Sequence, residues 1–255
     1  MSDDKWLEGK TAVITDACCA VGQAVARLFA RHGASVALGA RDAGQGDRLA
    51  GEINAYAPGS FAYYCDLSDA KSVEAFCAEV NRFWPLVNVL VNNPWTEESG
   101  AFEAATDEDD SRVLQIYQHS LVQTMRAFWP QMIKNGFCSV IQISSASVRR
   151  PVPGSLIHAC AYGTHGGMTR VPAVEGGIHE VRVNEIYAPY GANTRSRSYA
   201  PLKIRPADNE TRPDADGVAN TALFLASDMS SYISGVSISV TGGAQRLRFP
   251  QYYHE

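Results

Sequence analysis

No apolar run in this sequence reaches the roughly 18 residues that a membrane-spanning helix needs, so no spanning helix is expected. The first ten residues, MSDDKWLEGK, lack the basic-then-apolar pattern of a secretory signal. Positive charge is also short. The net charge is −5, which makes nucleic acid and anionic membrane poor partners. The six cysteines, at 18, 19, 65, 77, 138 and 160, show no zinc-ligand spacing, and no metal is expected. Several fall inside apparent strands or helices, as small buried thiols do. Reduced thiols point to a cytoplasmic home. No internal repeat is visible, and no linker rich in Gly, Ser or Pro divides the chain. What is there is 255 residues with 45% hydrophobic and 19% charged content, enough for one α/β domain with a sizeable core.

Short apolar runs alternate with helical patterns along the chain. KTAVIT at 10–15 reads as a buried parallel strand. A helix follows over 21–32, with Val21, Val25, Leu28 and Phe29 on one face and Gly33 as its C-terminal stop. Strand 35–38, helix 44–56, strand 61–65, helix 73–83 and strand 87–91 come next. A long helix is expected over 107–134, then strand 139–144, a helix near 158–178, strand 181–186, helix 215–226 and strand 236–240. Such alternation predicts a single domain with a doubly wound parallel sheet and helices on both faces. Residues 187–214, rich in Pro, Arg and Tyr, are expected to make a loop excursion over the ligand crevice.

Several marks recur in a fixed order. Gly9-Lys10-Thr11-Ala12 opens the first strand, and Cys65-Asp66-Leu67-Ser68 follows the third. Leu90-Val91-Asn92-Asn93 ends the fourth, and Ile143-Ser144-Ser145 the fifth. Val181-Arg182-Val183-Asn184, Phe224-Leu225-Ala226-Ser227 and Thr241-Gly242-Gly243 complete the set. In this combination, from Leu7 to Gly243, the chain resembles the short-chain dehydrogenase/reductase family. The resemblance implies a Rossmann-like fold of that type.

The family's chemistry is harder to find. Its nucleotide turn, T-G-x-x-x-G-x-G, lets backbone N–H groups approach a pyrophosphate at a helix N-terminus. Here the stretch is Thr15-Asp16-Ala17-Cys18-Cys19-Ala20-Val21-Gly22. Asp16 replaces the first glycine and Ala20 the second. Gly22 alone survives, and its job is to pack helix on strand. A carboxylate at Asp16 and a Cβ at Ala20 both act against a dinucleotide. Arg41 stands where NADP-preferring relatives carry an arginine, and Asp66 matches an adenine contact. Their plainer readings are a surface charge and a loop cap. Asn93 is followed by Pro94-Trp95, and Trp95 is expected to project into the nicotinamide region. Of the family's Asn-Ser-Tyr-Lys catalytic set, only Ser145 is kept. Tyr117 stands at the Asn position. Thirteen residues after Ser145 comes His158, at the Tyr position, and four later Tyr162, at the Lys position. A rival register makes Tyr162 the catalytic tyrosine and Gly166 the lysine. Neither supplies the cation that lowers a tyrosine pKa from about 10.

The resemblance therefore implies a degenerate member with no catalytic residue and no cofactor of its own. It is similar to the inactive subunits of hetero-oligomeric short-chain dehydrogenases, such as the one that oxidises 2-(α-hydroxybenzyl)succinyl-CoA in anaerobic toluene catabolism. That implies a paralogous active subunit carrying NAD, in a heterodimer or heterotetramer. The helix near 158–178 holds Gly163, Gly166, Gly167, Gly176, Gly177 and Pro172. That is weak intrinsic helix, and in relatives this helix pairs across a two-fold axis. The tail 246–255, RLRFPQYYHE, looks made to lie on another subunit. The alternative is a hydride-free lyase, isomerase or dehalogenase-like enzyme on the same fold, with His158 as base and Ser145 as hydrogen-bond donor.

Overall fold

The computed structural model describes residues 5–95, 102–104, 106–149, 156–189 and 215–241. Seven parallel strands form one sheet: β1 (Thr11–Ile14), β2 (Ser35–Ala40), β3 (Phe61–Tyr64), β4 (Val89–Asn92), β5 (Cys138–Ser145), β6 (Val181–Ala188) and β7 (Ser237–Ser239). Their order is β3-β2-β1-β4-β5-β6-β7. The chain winds outward from β1 to β3, then returns to β4 beside β1 and winds the other way. The strand ends of β1 and β4 therefore flank the switch point where such sheets bind ligands. This is the doubly wound sheet expected from the alternating pattern.

Among the described residues, the α-helices that cover the two faces are α1 (Ala20–Arg31), α2 (Ala43–Asn54), α3 (Ala70–Phe83), α4 (Asp107–Leu114), α5 (Ser120–Asn135), α6 (Leu156–Gly163), α7 (His165–Gly177) and α8 (Ala215–Ala226). One core layer joins Val21, Val25 and Phe29 of α1 to Leu49 and Ile53 of α2 and Leu223 of α8. The other joins Phe76 of α3 and Phe128 of α5 to Val140 and Val183 of the sheet. Local signals set the helix starts. Asp42 and Asp69 cap α2 and α3, each accepting from a first-turn N–H. Gly33, at φ +94, stops α1 as expected.

The expected long helix over 107–134 is interrupted. Gln115–His119 form a π-helical turn between α4 and α5. Such a turn bonds i to i+5, as the Ser120 N–H does to the Gln115 carbonyl. Within it the Tyr117 carbonyl lies 2.9 Å from His165 Nε2. The expected helix near 158–178 is likewise two pieces, α6 and α7, meeting at Thr164, in the stretch richest in glycine. β6 runs on to Ala188, so Tyr187 belongs to the strand and not to the excursion. The remainder of that excursion, 190–214, and the tail 246–255 lie outside the described residues. All six cysteines are free thiols. Cys65, Cys77 and Cys138 are buried as expected, but Cys160 is exposed.

Candidate functional site

The turn after β1 holds the first group of expected site residues together. Thr15 is fully buried, and its hydroxyl accepts from the Asn93 backbone N–H at 2.9 Å. This bond ties the end of β1 to the end of β4 at the switch point. Asp16 adopts φ +46, the left-handed region that glycine enters freely and Asp enters more readily than most residues. The turn thus keeps its glycine-type backbone without its glycine. Ala20 opens α1, and Cys19 caps it, its Sγ accepting from the Gly22 N–H at 3.4 Å. The Asn93 side-chain amide folds inward and donates to the Asp16 carbonyl at 3.3 Å and to Cys19 Sγ at 3.0 Å. Gly22 is required by packing. A Cβ there would lie 2.5 Å from the Asp16 carbonyl oxygen and 2.7 Å from Ala17 Cα.

Asp16 lines a shallow recess open to solvent, together with Arg41, Cys65, Asp66, Leu67, Trp95 and Ile116. Burial pushes its pKa from 3.8 up to about 7, with Arg41 opposing and Asp66 adding. At neutral pH the carboxyl is therefore only about half ionised. Asp66 uses Oδ1 to accept from the Ser68 N–H at 2.9 Å and the Ser68 hydroxyl at 2.7 Å. That is the loop-capping role. Arg41 is exposed at the recess mouth. Trp95 lines this recess together with residues that follow β1, β2 and β3.

The second group gathers at the π-helical turn. Tyr117 is fully buried, its ring edge-on to His158 with centroids 5.6 Å apart and to Tyr162 at 4.5 Å. The Tyr162 ring continues the stack to His165 at 5.2 Å, and its hydroxyl donates to the Pro94 carbonyl at 3.4 Å. His165 is fully buried on α7, and its Nε2 lies 2.9 Å from the Tyr117 carbonyl oxygen. Because a carbonyl only accepts, Nε2 carries the proton. Burial pushes the His165 pKa down to about 4, against the pull of that bond, so the ring is neutral at physiological pH. Ser145 ends β5 and caps a short 3-10 turn. Its Oγ accepts from the Ser147 N–H at 3.2 Å and the Ser147 hydroxyl at 2.9 Å.

Tyr117, His158 and Tyr162 are thus neighbours, as the family register implies, while the described hydrogen bonds of Ser145 go to Ser147. Two partners escaped the sequence reading. One is Cys19, whose place just before the helix start is a capping signal. The other is His165, three residues past Tyr162 and across the break at Thr164, at the first position of α7. Among the described residues, no cluster of His, Cys, Asp or Glu could hold a metal ion, and no helix is long and apolar enough to cross a membrane.

Sheet order, switch-point turn and buried β1–β4 tie define a Rossmann-like α/β domain. A family model described as enoyl-(acyl carrier protein) reductase matches residues 17–245. Among curated proteins, the chain is 31% identical to 2,5-dichloro-2,5-cyclohexadiene-1,4-diol dehydrogenase LinX of Sphingobium indicum, over 93% of this chain and 96% of the relative. It is 29% identical to the 3-oxoacyl-(acyl-carrier-protein) reductase FabG of Thermotoga maritima, over 93% and 98%. A solved short chain dehydrogenase/reductase family protein superposes with a TM-score of 0.81 at 26% identity, over 95% and 100% of the two chains. The 3-ketoacyl-(acyl-carrier-protein) reductase from Brucella melitensis, solved with NADH, gives 0.80 at 25%, over 94% and 99%. The chain belongs to the short-chain dehydrogenase/reductase family, and its relatives are oxidoreductases.

Proposed function

We propose that this chain is a non-catalytic subunit that supports an active, NAD-dependent short-chain alcohol dehydrogenase in the cytoplasm. The observation that carries the reading is the aromatic stack at the catalytic positions. Where the family's lysine would hold ribose and lower a tyrosine pKa, Tyr162 is wedged between Tyr117 and His165. A phenol there has no positive charge with which to do either job. The His165 imidazole, neutral at physiological pH, donates to the Tyr117 carbonyl and supplies no cation either.

The nucleotide turn supports the same reading. The Gly22 N–H is taken by Cys19 Sγ, and the Asn93 amide is spent on the turn itself. A carboxyl stands where the first glycine would be. These residues do not fit a pyrophosphate, and no step through a dinucleotide is derived for this chain. The active partner would be a paralogue with a complete glycine turn and a Tyr-x-x-x-Lys pair. The resemblance read from sequence extends to 2-(α-hydroxybenzyl)succinyl-CoA as the partner's substrate, although no residue of the recess encodes an acyl-CoA.

The test is calorimetric titration of the purified chain with NAD, NADH and NADPH, beside a native mass of the complex from its source. The reading requires no heat of binding and a second subunit of similar mass. Micromolar binding by the isolated chain would overturn it. The alternative, a hydride-free enzyme with His158 as base and Ser145 as donor, requires turnover by the isolated chain that His158→Ala abolishes. Ser145 Oγ accepts from Ser147 in both of its hydrogen bonds, which leaves its O–H able to donate, so what favours the first reading is the aromatic stack around Tyr162.

A further inference from the structure

The sheet beneath α7 carries a row of polar side chains. Asn92, Gln142, Glu185 and Ser237 are successive register partners across β4, β5, β6 and β7. Alternate residues of a strand share a face. Gln142 and Ser144 therefore lie on the face of Val140, and Glu185 on that of Val181 and Val183, which α5 and α7 cover. Gln142 Nε2 meets Met125 Sδ of α5 at 3.0 Å on that side. The buried stripe of α7 is His165, Thr169, Ala173 and Gly176. A Cβ at Gly176 would lie 2.9 Å from the Val181 carbonyl oxygen, which fixes the level of the helix. α7 is the return leg of the crossover from β5 to β6. Thr169, seven residues back at about 1.5 Å each, stands roughly 10 Å along it. Three to four strand residues at about 3.3 Å each bring β6 to the level of Asn184 and Glu185. The polar half of the helix stripe thus covers the polar half of the strands.

Within this layer, Asn92 Nδ2, Gln142 Oε1, Ser144 Oγ, His165 Nδ1, Thr169 Oγ1 and Glu185 Oε1 are buried with no hydrogen-bond partner among the described residues. Their residues are 0–1% exposed. Gln142 Oε1, Glu185 Oε1 and His165 Nδ1, whose ring carries its proton on Nε2, are acceptors. Glu185 Oε2 accepts from the Ser237 hydroxyl at 2.6 Å, so the shortage falls on Oε1. A buried carboxyl is stable when positive charge meets it. Among the described residues the nearby charged groups are engaged elsewhere. Arg182 lies on the opposite face, bonded to Ser227 and Ser230. Arg149 stacks on the Tyr187 ring at 4.7 Å. Arg170 and Glu175 lie on the exposed side of α7, and the buried His165 ring is neutral at physiological pH.

We infer that this layer is a binding site for one unit of positive charge, held by Glu185 Oε1 with the Gln142 carbonyl and the Thr169 hydroxyl. A divalent ion does not suit it, since one carboxylate would leave a buried charge uncompensated. Two species share the required chemistry. One is a monovalent metal ion, for which carboxylate, carbonyl and hydroxyl oxygens are the ligands a hard cation takes. The other is a proton on Glu185 Oε1, donated to Gln142 Oε1, which answers two orphan acceptors at once. Either species couples its own concentration to how firmly α7 is held on the sheet. The site follows from the sheet row and the α7 stripe, and does not depend on the subunit reading above.

Urea unfolding of the purified full chain tests it, with Glu185→Gln as the reference. The variant carries no charge and brings its own amide hydrogens to the layer, so it needs neither species. The first series, at pH 8, exchanges choline chloride for sodium or potassium chloride at equal ionic strength. A bound metal ion lowers the wild-type unfolding constant about tenfold at ten times its dissociation constant and leaves the variant unchanged. The second series stays in choline chloride and raises the pH from 6 to 8. A bound proton makes the wild type lose stability against the variant, by up to about tenfold in the ratio of unfolding constants per pH unit. Asp16 and His165 are common to both proteins and cancel in that ratio. Gln142→Met removes the amide carbonyl at similar size and should reduce either response, which keeps the test open where Glu185→Gln does not fold. A response in either series that the variants lose supports the site. Parallel curves in both series overturn it, since a neutral water or the chain alone would then satisfy the layer. Neither series contains nucleotide, so this inference and the subunit reading fail separately.

Discussion

Asp16 offers the sharpest test of how the switch-point turn has changed. Its carboxyl protonates near 7 in the fold against 3.8 in free solution, with burial as the main cause. The ionised form is therefore the disfavoured one when folded. The sign follows directly. Below about pH 4 the carboxyl is neutral in both states and has no effect on stability. As pH rises from 3.8 toward 7 the unfolded chain ionises first, and stability falls. Above about 7 both states are ionised and the loss is constant. A midpoint displaced that far corresponds to about 4 kcal/mol at full ionisation, of which about 2.5 kcal/mol falls between pH 5 and 8. The side chain is only half-buried, so screening reduces the expected loss over that window to about 1–2 kcal/mol. Asp16→Asn keeps the polar shape, tolerates φ +46 and cannot titrate. Urea unfolding of both proteins from pH 5 to 8.5 should give curves that separate by that amount, the wild type falling relative to the variant. Taking the difference is necessary because His165 works the other way. Its depressed pKa makes the wild type lose stability as pH drops through 6.5 toward 4. Parallel curves for the two proteins would refute the reasoning, since they would mean that the Asp16 carboxylate is fully solvated.

Three further outcomes follow from the same geometry. Gly22→Ala drives a Cβ into backbone at 2.5 Å and should cost about 2–4 kcal/mol in urea unfolding. A cost below about 1 kcal/mol would mean that the turn yields easily. Tyr162→Phe removes the hydroxyl that donates at 3.4 Å to the Pro94 carbonyl and keeps the ring. It should cost about 1 kcal/mol or less and leave the dehydrogenase rate of the assembled complex unchanged. A fall of 100-fold or more would instead support the register that makes Tyr162 the catalytic tyrosine. His165→Ala leaves the Tyr117 carbonyl without its 2.9 Å donor and opens a cavity. It should destabilise by about 3 kcal/mol, and hydrogen exchange should quicken first in the π-helical turn at 115–119.

The fold was legible because its determinants are local and repeated. Each short apolar run bounded by polar residues became a strand, and Gly33, Asp42 and Asp69 stand at helix ends for reasons visible in the residues themselves. The two helix breaks were not legible, and for one shared cause. The π-helical turn at 115–119 presents its Tyr117 carbonyl to His165, 48 residues away in sequence. No spacing within 107–134 marks it. The break at Thr164 sits among glycines that signal a weak helix without saying where it yields.

The candidate site divides along the same line. Which positions to compare with the family could be read from the spacing, and the structure brings Tyr117, His158 and Tyr162 into one cluster. How these positions and the turn are partnered could not be read, because it is tertiary. Cys19 and Asn93 lie 74 residues apart and meet across the switch point. Trp95, just after β4, lines a recess with Asp16, Arg41 and Asp66, which follow β1, β2 and β3. The replacements also share a character. Cys19 caps the Gly22 N–H, the Asn93 amide closes on the turn, and the His165 imidazole takes the Tyr117 carbonyl of the π turn. The Gly22 N–H, the Asn93 amide hydrogens and the Tyr117 carbonyl are thus engaged by the chain's own groups. The refilling is incomplete, because Asn93 Oδ1 and His165 Nδ1 are buried without a hydrogen-bond partner. Each of those atoms carries a desolvation cost, so the same two side chains that close the turn and take up the carbonyl also mark where the site is least satisfied.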